Sequence, residues 1–519
     1  IYLRVTCKAN TSAIALLQPA MAPNDTILKD TLDPYETKTY ELSDSIDRIE
    51  NSPALDAAFS EIHDYGLLLK GTQNIQAYYE VGDRNNPEIF AFKGKNALGY
   101  EFYTPFQDIL DNAGGYPETR QRIDIVSTKD NTEIVIDNIP NDIRNFGTGP
   151  IGPLTLDKGE TVSLVAESQD ANKHLGGTRI RVTNDRGPIA VTISDDSAEQ
   201  PDGCLDIIGD QLVPSEGLDG TPVIGSEYLA IRGRLGLPDV TDDPNDHVFM
   251  VATEDDTEIT IDDGGGATTT IGPLMAGDME RYEVDTSYIH LKSNDEKPFY
   301  VLHMSGFGCE SGGAILPPID QCTGSYEVGT TRSFDNSGDV YIYNILSRSN
   351  ATDGFLVNGD PTIIEDADFD PIPGTNEWEA AQVELGMINE GDSVLIRNTE
   401  DVFHLGIING GSTSGCLYGY FSDFKVLDPF AEIDDGEYGS TSDMFDCAGS
   451  SFQLNSTPAK DYTWSPSAYL NDPNIQNPIA SNLPEGNTDI TVEVTGACQQ
   501  VASNKVSIYV FPETKARFD

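Results

Sequence analysis

Basic residues and long apolar runs are both scarce in this sequence. Its 519 residues include 31 lysines and arginines against 86 aspartates and glutamates, which gives a formal net charge of −55 at pH 7. Such a surface repels phosphate groups, so nucleic acids and anionic lipid headgroups are excluded as main partners. Because no run of about 18 apolar residues occurs, we also expect no insertion into a membrane.

Cysteine is scarce as well, and the common catalytic motifs are missing. The seven cysteines show no CxxC spacing, which argues against zinc and redox motifs and favours a few structural disulfides in an exported protein. No P-loop and no HExxH occurs, and Gly411–Gly415 (GSTSG) puts its serines outside the nucleophile position of a hydrolase. We therefore predict that the chain is not an enzyme.

Short β-rich runs separated by glycine, asparagine and aspartate are what the sequence does contain. This pattern is typical of antiparallel all-β structure. One predicted hairpin joins Tyr288–Lys292 to Pro298–Met304 through a polar turn. His290 and His303 lie on its two arms, where ordinary packing is favoured over a metal pair because no third ligand is suggested.

The same order of strands and turns recurs along the chain. A copy that begins near Ile123 ends at Cys204, the clearest copy ends at Cys309, and a looser one ends at Cys416. The unequal spacing indicates duplication with insertions. We predict an all-β fold of tandem antiparallel β-sandwich-like units, with propeller-like blades as the alternative. The predicted units are residues 1–120 (with short helices), 121–240, 241–330 and 331–433.

Two short helices and an aromatic stretch are predicted within the first unit. The first helix begins at Pro53, with apolar residues at helical spacing, and the second spans Pro105–Asn112, where Thr104 and Gln107 have capping-box spacing. Aromatic residues alternate with polar ones from Tyr78 to Phe106. This alternation favours packing in a core over the other interpretation, an exposed binding face.

One acidic loop has the ligand spacing of a calcium site. Asp366, Asp368 and Asp370 alternate, and Glu377 is the twelfth residue counted from Asp366, as in an EF-hand loop. Against this, Pro371 stands where that loop turns on glycine, and no helical pattern flanks it. A solvated acidic loop is favoured, and a Ca²⁺ site outside the EF-hand class is the alternative. Ca²⁺ is the one cofactor that the sequence suggests.

Several ordered motifs resemble a known family. AYYEVGDRNNPEIFAFKGKNALGYEFYTPFQ (77–107), then VSTKDNTEIVI, PIAVTISDDS and CLDIIGDQLVP, are similar to the N-terminal domain family of IgGFc-binding protein over about residues 1–430. The versions most alike are those of large secreted proteins of Bacteroidota. The resemblance implies a secreted or cell-surface protein that leaves by the type IX route and serves adhesion, gliding or surface assembly. It does not carry the IgG Fc ligand over to this chain.

Residues 443–512 resemble the PKD-like or immunoglobulin-like modules of the same proteins. The resemblance rests on YTWSPSAYLNDPNIQNPIAS (462–481), in which Trp464 is placed to fill the core of a small sandwich. Cys447 and Cys498 lie near the ends of this module. We predict that they form a disulfide, which would stabilise it by roughly 2–4 kcal/mol.

Repeated sheets without a catalytic set predict a function in binding or assembly. We expect an extracellular cell-surface adhesin, or a subunit of an extracellular filament, that self-associates or binds other surface proteins or glycans. Two alternatives stay open: the β-rich accessory region of a secreted carbohydrate-active enzyme, and a passive structural spacer. Because the chain begins inside an apparent strand at Ile1–Thr6, we take it to be a piece of a longer exported protein.

Overall fold

The protein is all-β, as predicted, and built of tandem antiparallel sandwiches. The computed structural model describes residues 1–8, 11–21, 25–45, 49, 61–82, 86–114, 118–184, 186–236, 245–336, 338–411, 415–425, 431–434, 440–441, 443–456, 459–496 and 501–512. Among these residues, no helix has the length and apolar character needed to cross a bilayer. Besides strands there are short 3-10 turns, at Ser43–Ser45, Gly94–Ala97, Ala171–Lys173, Asn294–Glu296, Asp366–Asp368 and Ser467–Tyr469.

The first module is a small sandwich of two antiparallel sheets. Its core forms where Val5 of one sheet and Leu16 of the other are both buried. In spatial order, one sheet contains Thr37–Glu41, Tyr2–Cys7, Ile75–Val81 and Glu88–Ala91, and the other contains Asp25–Leu32, Ser12–Gln18 and Leu68–Gly71.

Strict alternation of buried residues builds the second module. In the strands that carry Ile123, Ile125 and Ile134, every second side chain enters the core between two sheets. One sheet contains Leu205–Gln211, Ile189–Glu199, Gln121–Ser127, Thr161–Val165 and Ile62–His63, and the other contains Ile151–Leu156, Thr132–Asp137, Arg179–Val182 and Glu101–Tyr103. The outermost strands Ile62–His63 and Glu101–Tyr103 come from residues that the sequence assigned to the first unit.

The third module has the same plan as the second. Both place an Ile-Gly-Pro-Leu stretch on an edge strand, at residues 151–154 and 271–274, where a proline costs no sheet hydrogen bond. One sheet contains Glu227–Ile231, Tyr288–Ser293, Thr257–Asp262 and Thr269–Leu274. The other contains Arg234–Leu235, Phe299–Gly308, His247–Ala252 and Met279–Glu283, and Glu310–Ile315 pairs with its second strand.

The predicted hairpin of Tyr288–Lys292 and Pro298–Met304 is wrong, because these segments lie in opposite sheets of the third module. Between them Asp295 and Glu296 have positive φ values of 52° and 55°. This left-handed turn directs the chain across the sandwich instead of back along the same sheet. The histidines of the two segments therefore do not face each other.

The fourth and fifth modules complete the chain. In the fourth, one sheet contains Glu327–Thr331, Ser393–Asn398 and Phe355–Val357, and the other contains Asp370–Pro371, Trp378–Glu384, Val340–Arg348, Phe403–Gly411 and Gly415–Tyr420. In the fifth, one contains Ser440–Thr441, Ala431–Asp434, Ser451–Ser456 and Ile479–Ser481, and the other contains Asp443–Cys447, Val501–Phe511, Gly486–Thr495 and Asp461–Ser465. Trp464 lies in the core of the fifth module, as predicted.

Three glycine-containing strands bring the second, third and fourth modules together. We call them the closing strands, because each is the last strand of its module: Leu205–Gln211, Glu310–Ile315 and Gly415–Tyr420. A Cβ atom on Gly313 would lie 2.8 Å from the backbone nitrogen of Gly209, and one on Gly312 would lie 2.9 Å from Cβ of Tyr418. Only glycine permits so close an approach of neighbouring modules.

Residues 105–112 form a loop, so the helix predicted there is wrong. The side-chain oxygen of Gln107 accepts the N–H groups of Ile109 (2.8 Å) and Leu110 (2.7 Å), and its amide nitrogen donates to the buried carboxylate of Asp195 (2.6 Å). The side chain thus binds backbone donors itself and holds the segment to the second module. The first predicted helix lies outside the described residues.

Candidate functional site

Carboxylate side chains cover the free edge of the middle closing strand, Glu310–Ile315. Its other edge pairs with Phe299–Gly308, so the outward N–H groups of alternate residues need other partners. Three buried carboxylates accept them. The bonds are Ser311 N–H to Asp206 (2.9 Å), Gly313 N–H to Glu88 (2.9 Å) and Ile315 N–H to Asp210 (3.0 Å). We call this group of residues the central junction.

The central junction joins four modules through hydrogen bonds. Glu88 lies in the strand Glu88–Ala91 of the first module. It also accepts the N–H of Tyr418, in the closing strand of the fourth module, at 3.3 Å. Burial raises the pKa of Glu88 well above its ordinary value, and burial likewise raises the pKa of Asp206 and of Asp210. Since the strand edge is occupied, it is closed to pairing with another chain.

A disulfide fixes the second module to the third beside this junction. Cys204 and Cys309 are bonded across 105 positions of sequence, with Cα atoms 5.9 Å apart. The sequence left their pairing open, although each directly precedes a closing strand, and this shared position is the signal that identifies them. Next to the disulfide, the buried carboxyl groups of Asp206 and Glu310 interact, and burial raises the pKa of both.

One group of three side chains in the described part of the chain has the spacing of metal ligands: Cys204, Cys309 and Glu310. Because its two sulfur atoms are bonded to each other, the group offers one carboxylate and no thiolate. The residues predicted from the EF-hand spacing are not part of such a group.

The four predicted calcium ligands bind four different partners. Asp366 accepts the hydroxyl of Thr352, Asp368 accepts the N–H of Glu365 at 2.8 Å, Asp370 accepts the hydroxyl of Tyr288 at 3.3 Å, and Glu377 pairs with Arg348 at 2.9 Å. Each carboxylate thus has a local role in a turn or a surface contact. The calcium site stays a prediction that metal titration would test.

A surface cleft of about 440 Å³ lies on the outer sheet of the second module. Tyr100 and Leu218 line it with 43% and 50% of their surface exposed, and Glu101 and Arg181 stand beside them. An exposed aromatic ring next to an aliphatic side chain and a guanidinium is the composition of contact sites between proteins.

Fixed contacts hold the walls of this cleft. The N–H of Val182 donates to the carbonyl of Tyr100 at 2.8 Å, and the N–H of Ser215 donates to the carbonyl of Glu101 at 3.0 Å. On the far wall, Lys425 pairs with Asp219, which ties the loop to the end of the fourth module. The cleft is therefore formed without a partner, which reduces the entropy lost on binding.

The aromatic stretch from Tyr78 to Phe106 mainly packs in cores, as the alternation of its residues favoured. Tyr78, Phe90, Phe102, Tyr103 and Phe106 are buried. The exceptions are Phe92 and Tyr100, which are exposed, and Tyr79, which is partly exposed. The binding-face interpretation thus applies to a small part of the stretch, and Tyr100 is the member that lines the cleft.

The predicted disulfide of the fifth module stays untested. Cys447 is exposed at the end of its strand, and Cys498 lies outside the described residues. Buried Trp464 donates its indole N–H to the carbonyl of Ile475 at 2.9 Å, which satisfies the one polar group of that side chain.

The fold is that of an all-β protein whose sandwich modules pack together through their closing strands. Residues 92–408 match the IgGFc binding protein family, which is well over half of the chain. The chain belongs to this family. No curated protein matches it. The matched residues include the third module, the second module except Ile62–His63, and the fourth up to its strand Phe403–Gly411, while the fifth lies outside them.

Solved structures show only weak likeness. Protocadherin gamma C5 EC1-3 is 10% identical, over 62% of this chain and 76% of that one, with a TM-score of 0.14. The tetra-tandem repeat of the extending region of a large adhesion protein is 11% identical, over 80% and 96%, with a TM-score of 0.12. A Ca²⁺-stabilised adhesin of an Antarctic bacterium is 9% identical, over 79% and 99%, with a TM-score of 0.11. TM-scores this low establish no common arrangement of modules.

Proposed function

We propose that this chain is an extracellular binding protein, a cell-surface adhesin or a filament subunit, that acts by contact and assembly. The observation that carries the proposal is the preformed cleft with exposed Tyr100 and Leu218, on a body of modules joined by a disulfide and buried hydrogen bonds. Membership of the IgGFc binding protein family supports a protein partner. Export by the type IX route, and glycans as additional ligands, are part of the proposal.

This body of joined modules suits this function because it resists deformation. A disulfide, the carboxylate bonds of the central junction and glycine-mediated close packing connect the modules. A cleft on such a body keeps its shape when the bound partner pulls on it. The partner we propose is a protein of the cell surface or matrix, including a second copy of this chain.

A bead-retention experiment tests the proposal. Beads carrying the purified chain are placed on surfaces coated with the chain itself, IgG Fc fragment, mucin or albumin, and retention under flow is measured. We expect retention above albumin on at least one surface. Changing Tyr100→Ser together with Leu218→Asp should reduce it by about tenfold, which corresponds to about 1.4 kcal/mol, since an aromatic anchor is lost and a charge is placed in the contact.

Met387→Asp is the matched control, because Met387 is 71% exposed on the fourth module, away from the cleft. It changes an exposed apolar side chain to a charged one without touching the proposed site. Retention equal to albumin on every surface would contradict the binding function. Equal loss in the control and in the cleft variant would contradict the assignment of the cleft.

A further inference from the structure

Lys93 is a lysine whose amine is enclosed in the protein. Its Nζ atom contacts the carboxylate of Asp210, and the two side chains are only 3% and 2% exposed. Asp210 is the one partner of this amine among the described residues. A buried amine held against a single buried carboxyl group is an arrangement that favours an amide bond between them.

Burial also favours the uncharged forms of both groups. It lowers the pKa of Lys93, and it raises the pKa of Asp210. A proton moved from the ammonium to the carboxylate leaves a neutral amine and a neutral carboxylic acid. The neutral amine is a nucleophile, and the neutral acid carries a hydroxyl group that departs as water.

Backbone donors hold the carboxyl group of Asp210 from two sides. The N–H of Gln211 donates to Oδ1 at 2.8 Å, and the N–H of Ile315 donates to Oδ2 at 3.0 Å. Attack on Cγ would place negative charge on one of these oxygen atoms. Fixed N–H donors at that position stabilise the tetrahedral intermediate, as in an oxyanion hole.

Glu88 provides a third ionisable group on the same strand edge. It accepts the N–H of Gly313, two residues before Ile315, so the carboxyl groups of Glu88 and Asp210 lie side by side, roughly 7 Å apart along the strand. Burial raises the pKa of Glu88, and the charge of Asp210 raises it further. With its proton bound, this carboxyl group adds no negative charge that would favour the protonated form of the Lys93 amine.

We propose that Lys93 and Asp210 condense to an intramolecular isopeptide bond after the chain folds. The lone pair of Lys93 Nζ attacks Cγ of Asp210, one C–O bond breaks, and one water molecule leaves with a proton taken from the nitrogen. That proton passes from the nitrogen to the departing hydroxyl group within the reacting pair, whose two side chains are in contact. No oxidant, reductant or cofactor is needed, since the reaction is a condensation.

The bond would close a covalent loop around the second module. It would connect the segment that enters this module to the module's closing strand, so that a pull on the chain could not separate the two. The inference goes beyond the proposed binding function and does not depend on it, because a crosslink forms whether or not the cleft has a partner.

A second lysine–aspartate pair provides a matched control. Lys8 contacts Asp423 at 3.3 Å, but the side chains are 16% and 34% exposed. The charges of Asp423 and Glu327 outweigh burial there and raise the pKa of Lys8, so this amine stays protonated and unreactive. The same residue types are thus present in one pair that meets the requirements and in one that does not.

Intact mass spectrometry of the full chain, after reduction of the disulfide, tests the proposal. We expect the folded wild-type protein to be lighter than its sequence by the mass of one water molecule. Digestion with trypsin should leave Lys93 uncut and yield a branched peptide that contains Lys93 and Asp210. Lys8→Ala should keep the deficit, whereas Lys93→Arg and Asp210→Ala should each restore the full mass.

Each result decides one part of the proposal. A folded wild-type protein, by circular dichroism, with the full sequence mass would overturn the crosslink, whatever the variants do. A water deficit that persists in Lys93→Arg would overturn the assignment to this lysine and indicate cyclisation of an aspartate.

Discussion

The central junction and the core of the fifth module are both buried, but they contain different kinds of side chain. At the junction, buried carboxylates, a lysine and a disulfide lie between modules. In the fifth module, Trp464 packs among valines, isoleucines and leucines, and the buried polar side chains in its described part are Ser456 and Thr488. One interior is rich in ionisable groups and the other is apolar.

The difference indicates what each interior does. An apolar core stabilises by removing surface from water and accepts many arrangements of similar volume. Buried carboxylates cost free energy unless every partner is in place, so they favour a single relative position of the modules. We infer that the junction fixes geometry, while the fifth module folds as an independent sandwich.

The largest expected effect is on the fifth module. Trp464→Ala should lower its free energy of unfolding by about 3–5 kcal/mol, because a fully buried aromatic side chain is removed and a cavity remains. Scanning calorimetry should show the transition of the fifth module move or vanish while that of the central modules stays in place. Phe445→Ala is the control, since Phe445 is 67% exposed. A shift of both transitions would show that the two regions unfold together.

The next largest effect is expected in the central modules and not in the fifth. Cys204→Ser with Cys309→Ser should destabilise the central modules by roughly 2–4 kcal/mol, since the disulfide closes a loop of 105 residues. The fifth module should not respond. Cys447→Ser, which changes an exposed cysteine, should leave the central transition unchanged. If the double serine variant melts like the wild type, the disulfide does not constrain the junction.

Stability measured over a pH series distinguishes the central modules, whose interiors contain ionisable groups, from the apolar fifth module. Burial raises the pKa of Asp195 to about 6, although amide groups of Asn112, Gln107 and Gln121 donate to it. The folded protein therefore holds a proton that the unfolded chain releases near pH 3.8. The resulting stabilisation is fully present below about pH 4 and is lost as the pH rises through about 6.

Urea denaturation between pH 4 and pH 7 should show this loss. The contribution of Asp195 amounts to about 2–3 kcal/mol, since one pKa unit corresponds to about 1.4 kcal/mol. Buried Glu88 and Asp206 have pKa shifts in the same direction, so they add to the loss. Asp195→Asn should flatten the curve of the central modules. A curve for this variant as steep as that of the wild type would exclude Asp195 as a source.

The sequence predicts the sheets better than their assembly, for a physical reason. The alternating isoleucines in Gln121–Ser127 and Thr132–Asp137 predict which face of each strand is buried. The closing strand Glu310–Ile315 is buried on both sides and contains two glycines, so it has no such alternation. Its role depends on close approach of distant strands, which a local pattern does not contain.

The candidate sites could not be predicted from the sequence for the same reason. Lys93 and Asp210 are ordinary charged residues in the sequence, and only the fold shows that neither reaches water. The predicted helix at 105–112 failed because Gln107 binds the backbone from a tertiary position that capping-box spacing does not reveal. The calcium site stays a prediction, because in the structure each of its carboxylates binds a different partner in a turn or a surface pair.

The smallest expected effect on stability is at the cleft. Tyr100→Ser with Leu218→Asp should change the unfolding free energy by no more than about 0.5 kcal/mol, because both side chains are half exposed. Leu212→Ala, in the core of the same module, should cost about 2–5 kcal/mol. Calorimetry and bead retention, measured on both variants, distinguish a role in binding from a role in stability. If the cleft is a binding surface, the double variant loses bead retention and keeps its stability. A cleft variant as unstable as Leu212→Ala would instead mean that these exposed residues hold the module together.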